Sequence, residues 1–144
     1  MKRIILVLLI SLATSFAYAQ SRKVVVDSRG AVVGRYVATR GNNYVVEVQD
    51  DFTVPVSGHR VVTYSAEAGQ GVVYRNQSRT GNINVRNKPS LNGAVIAKIA
   101  DSRGYVPATY PCLGKTNGWY KIRINGKVGY VREDMAEWDA IDTF

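Results

Sequence analysis

Short apolar runs, broken at close intervals by turn residues, constrain this chain more than any other feature of its sequence. From residue 20 onward almost nothing shows a helical period, and runs rich in Val, Ile and Tyr recur instead. Runs of that kind between clusters of Gly, Asn, Asp and Ser are the pattern of a β-sandwich or barrel. The first half offers Lys23 to Asp27, Val32 to Thr39, Tyr44 to Gln49, Phe52 to Val56, Arg60 to Tyr64 and Val72 to Arg75. The breaks include Ser28-Arg29-Gly30, Arg40-Gly41-Asn42-Asn43, Asp50-Asp51 and Ser57-Gly58. In the third run Tyr44, Val46 and Val48 alternate with Glu47 and Gln49, a period of two that places it on a half-buried sheet.

The stretch Asn76-Gln77-Ser78-Arg79-Thr80-Gly81 has no apolar residue and reads as a domain boundary or a long surface loop. Strands then resume at Asn82 to Arg86, Ala94 to Ile99, Tyr105 to Tyr110, Trp119 to Ile124 and Lys127 to Arg132. Asn125-Gly126 lies between the last two, and both residues tolerate the positive φ of a type I′ hairpin turn. The expected class is all-β. The expected division is a leader over 1–19, a small β-rich domain over 20–75, a linker over 76–81, a small barrel over 82–133 and a tail over 134–144. The acidic tail carries Trp138 and Phe144, and is expected to form a short helical turn on the barrel or to fray.

The leader is read from three features in order. Lys2 and Arg3 supply a basic start, Ile4 to Ile10 an apolar core, and Ala17-Tyr18-Ala19 the small residues of a cleavage site. A membrane-spanning helix needs about 20 apolar residues, and Ser11, Thr14 and Ser15 interrupt this shorter run. Cleavage after Ala19 and export to the periplasm or beyond are therefore expected, with no membrane span in the mature chain. The formal charge is +8, and removal of Lys2 and Arg3 lowers it by two. A basic exported protein favours anionic envelope polymers through long-range attraction. No motif that reads nucleic acid is present, so nucleic acid is not an expected partner.

The chemistry-bearing residues are few. Cys112 is the lone cysteine, so no internal disulfide forms and stability rests on packed sheet. His59 is the lone histidine, in a Ser-Gly-His-Arg turn. A cysteine nucleophile needs an activated thiol beside a base, and neither residue has such a setting in the sequence. One His and one Cys fall short of the three or four protein ligands that zinc takes. Asp50-Asp51 lacks the spaced oxygen ligands of a calcium site. No catalytic residue, metal or cofactor is expected.

Three blocks of the second half resemble the bacterial SH3 (SH3b) family. They are Ile83-Asn84-Val85-Arg86-Asn87-Lys88-Pro89-Ser90, then Asn92-Gly93-Ala94-Val95-Ile96-Ala97-Lys98-Ile99, then Asn117-Gly118-Trp119-Tyr120-Lys121-Ile122-Arg123 followed by Asn125 to Val131. The segment from Ala100 to Thr116 is longer than the family's usual loop-strand-loop. The resemblance implies a strongly bent SH3-like barrel of about five strands. It also implies a module that binds peptidoglycan peptides or serves as an envelope interaction domain. By alternation Tyr120, Ile122 and Ile124 share the core face, and Trp119, Lys121 and Arg123 the other. Arg86, Asn87, Trp119, Tyr120 and Tyr130 are the candidate ligand-binding residues, with Trp119 expected to be partly exposed. The expected partner is a cell-wall peptide or glycopeptide. The alternatives are an exported protein, which would make the chain an adaptor, and a wall substrate, which would make it a hydrolase. The oligomeric state is open.

Overall fold

The computed structural model describes residues 21–48 and 50–141. The expected leader and Phe144 lie outside the described residues. Every element is a strand, as the pattern of short Val-rich runs predicts. In the first half these are β1 (Ser21–Val26), β2 (Val32–Arg40), β3 (Asn43–Glu47), β4 (Asp51–Pro55) and β5 (Arg60–Ser65). They form one antiparallel sheet in the order β4-β3-β2-β1-β5. Val45 and Val46 are adjacent on β3, so they point to opposite faces, and both are buried. That strand is therefore covered on both sides rather than half-buried, and Val48 beyond it is exposed.

The second sheet has seven strands. They are β6 (Val72–Arg75), β7 (Ile83–Arg86), β8 (Val95–Ile99), β9 (Thr109–Thr116), β10 (Trp119–Ile124), β11 (Lys127–Arg132) and β12 (Ala136–Asp139), in the order β12-β6-β9-β10-β11-β7-β8. The crossing between sheets thus falls between Ser65 and Val72, not at 76–81. The polar stretch is the loop of the two readings, and the reason lies in Arg75. Its guanidinium is fully buried, pairs with Asp101 at 2.8 Å and donates to the carbonyls of Ala100 and Arg79. One side chain so pins both the 76–81 loop and the start of the long loop after β8.

The tail forms neither a helical turn nor a frayed end over its described part. Ala136 to Asp139 pair with Arg75 to Val72, and Ala136, Trp138 and Asp139 are buried. The Trp138 indole N–H donates to the Gln70 carbonyl at 2.6 Å. Gly71 makes room for this: at φ +79°, its added Cβ would stand 2.9 Å from that indole nitrogen and 2.2 Å from the Asp139 carbonyl. Asp139 in turn pairs with Arg35 of β2, which also faces Glu47 at 3.6 Å. The two sheets share one core that contains Val24, Val26, Val73, Ile122, Val131 and Trp138. Each fully buried side chain of this kind contributes roughly 1.5–3 kcal/mol.

Within the second sheet, β10 and β11 pair from Trp119–Arg132 to Ile124–Lys127. Asn125 (φ 51°) and Gly126 (φ 72°) close the hairpin as the Asn-Gly signal predicts. The strand expected at Tyr105 to Tyr110 begins only at Thr109 and runs through Cys112. Tyr105 and Val106 instead stand out from the loop, 82% and 68% exposed. Gly129 lets β11 approach its neighbour, since a Cβ there would lie 2.4 Å from a Val85 methyl.

Candidate ligand-binding face

Strand register assembles the surface of interest. On β10, Tyr120, Ile122 and Ile124 are buried in the shared core, while Lys121 and Arg123 point outward. Lys121 pairs with Tyr130, Tyr130 with Arg86, and Arg86 with Val95. Partners in an antiparallel ladder share a face, so Lys121, Tyr130, Arg86 and Val95 make one row across four strands. Trp119 opposite Arg132, and Arg123 opposite Val128, flank it on the same face. The sequences of β7, β8, β10 and β11 hold no Asp or Glu. Lys121 and Arg123 make no ion pair among the described residues. Arg132 pairs with Asp134 at 2.7 Å, from beyond the end of its strand.

At one end of this face lies a cleft of about 150 Å³ lined by Asn84, Arg86, Leu91, Trp119, Arg132 and Met135, among others. Trp119 is 8% exposed, buried rather than partly exposed as alternation alone suggests. Its indole N–H has no partner among the described residues, and it is not one of the sealed unpaired atoms. The donor is therefore neither bonded nor sealed, and the largely covered ring lines the cleft. Arg86 holds the cleft's wall in place by donating to the Gly93 carbonyl at 2.7 Å.

Two of the five sequence candidates fall elsewhere. Asn87 shapes the turn after β7: its side-chain oxygen accepts from the Ala94 amide at 2.9 Å, and its own amide donates to the Ala94 carbonyl. Tyr120 points inward, under the Lys115 ammonium 5.5 Å from its ring centroid. Lys115 also pairs with Glu133 at 2.5 Å. Burial, with Glu133 nearby, pushes the Tyr120 phenol well above its ordinary value. Alternation along β10 separates Tyr120 from Trp119, which the count of aromatics does not. Arg132 and Leu91, by contrast, carry no sequence signal of their own. They enter the cleft only through pairing to Trp119 and through the fold of the β7–β8 turn.

The lone imidazole and thiol are held by separate parts of the fold. His59 sits in the β4–β5 turn, with Nδ1 3.4 Å from the Ser57 carbonyl. Cys112 is buried, and its thiol donates to the Ala66 and Gly114 carbonyls. Burial pushes that thiol up from its ordinary value, which keeps it protonated and unreactive at neutral pH.

Residues 81–135 match the bacterial SH3 domain family. The SH3 match covers β7 to β11, and with them the whole basic face and the cleft. It begins after β6 and stops before β12, so these two strands extend the SH3 sheet and carry its joint with the first sheet. Domains of this family are binding modules of the cell-wall type and are not catalytic. No curated protein matches the chain.

Proposed function

We propose that the chain is an exported, non-enzymatic binding protein. The SH3 region presents its outer face to a cell-envelope peptide or glycopeptide such as peptidoglycan. The observation that carries this reading is the face itself: Arg86, Lys121, Arg123, Arg132 and Tyr130 side by side, with no carboxylate in any of the four strands. A surface of that sign draws anionic polymers over long range, and an aromatic beside arginine is the composition of recognition hot spots. The leader-like sequence at residues 1–19 supports delivery to the compartment where such a polymer lies. Co-sedimentation of the mature protein with purified peptidoglycan tests the reading. Retention at low salt that weakens as salt rises is expected, and no retention at low salt ends it.

A second reading rests on Tyr105 and Val106. They project from a loop whose base is locked by Arg75, Asp101 and Arg103. An apolar tip on a fixed base suits a protein partner, which would make the chain an adaptor. Crosslinking in intact cells that captures one protein through this loop, without competition from wall fragments, favours it.

A further inference from the structure

We infer that the Trp119 cleft is a carboxylate subsite, and that the ligand enters it by a carboxylate-terminated end bearing only a small apolar side chain. This rests on the binding role proposed above and names the chemistry of one part of the same face. Three residues with donor groups line the cleft: Trp119, Arg86 and Arg132. The Trp119 N–H has no acceptor among the described residues. Arg86 commits Nη1 to Gly93, and Arg132 commits Nη2 to Asp134, which leaves each guanidinium other N–H groups without a partner among the described residues. Acceptors with negative charge are what such a set binds best, since charge-assisted hydrogen bonds are roughly twice as strong as neutral ones. No strand of the face contributes a competing carboxylate.

Size and lining set the rest. A pocket for a whole small molecule holds about 300–1,000 Å³, so about 150 Å³ takes an end group only. Leu91, Ile83 and Met135 supply the apolar part of the wall, which suits a methyl or similar stub next to the charged group. The remainder of the ligand then runs over Tyr130 toward Lys121, along the row that the register fixes.

The test uses acetyl-alanyl-alanine with a free carboxylate, and the same dipeptide as its amide. Nuclear magnetic resonance of the mature protein follows the indole N–H signals of Trp119 and Trp138, assigned with Trp119→Phe. The acid is expected to move the Trp119 signal and leave that of Trp138 in place, and the amide to bind at least about tenfold more weakly. Arg132→Gln, a change at a half-exposed side chain, is expected to weaken the acid by about tenfold. Equal response to acid and amide, or no response to either, overturns the inference. If neither moves Trp119 while peptidoglycan still retains the protein, the subsite falls and the binding role stands. If retention is also absent, both fall.

Discussion

The two tryptophans of this chain stand in opposite kinds of place. Trp138 is at the joint between the sheets, on a strand the SH3 match does not include. Its N–H is closed by Gln70, its plane is accommodated by Gly71, and it lines a cavity shared by Arg22 and Arg35 with Glu133, Asp134, Glu137 and Asp139. Trp119 is nearly as buried, yet its N–H is unbonded among the described residues, and it lines a cleft on a face whose four strands carry cations and no carboxylate. Burial is thus a poor guide to role here, and hydrogen-bond closure is a better one. A satisfied indole is part of the scaffold. An unsatisfied one that still reaches solvent is the one our proposal gives to a ligand.

Substitution is the bluntest way to break that comparison. Trp138→Ala empties the joint and should cost about 3–5 kcal/mol in urea unfolding. The phenylalanine variants sharpen it. Trp138→Phe leaves the Gln70 carbonyl unpaired and should cost about 1–3 kcal/mol. Trp119→Phe loses no internal bond and should cost less than about 1.5 kcal/mol, while peptidoglycan retention drops. Equal destabilisation by the two would remove the distinction.

A smaller effect should come at alkaline pH, and Tyr74 at the joint supplies a separable part of it. Burial, with Glu137 and Asp139 close by, raises the Tyr74 phenol from 10.0 to about 12. Unfolded tyrosine loses its proton near pH 10 and folded Tyr74 near pH 12, so the folded state holds that proton longer. The stability so gained is complete below pH 10 and is lost as the pH climbs through 12. Urea midpoints of the wild type should therefore fall over that window, and those of Tyr74→Phe should fall less.

Much of this is legible in the sequence, for local reasons. The all-β class follows from run length and turn residues. The β10–β11 hairpin follows from Asn125-Gly126, and the inward set Tyr120, Ile122 and Ile124 from a period of two. What was not legible depends on long-range pairing. Val72 to Arg75 read equally well as the last strand of the first sheet. Their ladders with Thr109 to Pro111 on one side and Ala136 to Asp139 on the other assign them to the second. The tail lacks a run of β-branched residues, so its strand is imposed by the burial of Trp138 and not by local preference. The polar 76–81 stretch resembled a linker because the arginine that anchors it lies one residue outside it. For the candidate face, Arg86, Trp119 and Tyr130 could be picked out from the SH3-like blocks. The absence of carboxylates became meaningful only once register set those four strands side by side.

Hydrogen–deuterium exchange of the two indole N–H groups in the ligand-free protein tests the central distinction most directly. The structure calls for slow exchange at Trp138, at the rate of the core amides, and for fast exchange at Trp119 that slows when peptidoglycan fragments are added. Equal protection of both indoles without ligand, or protection gained at Trp138 and not at Trp119, would contradict it.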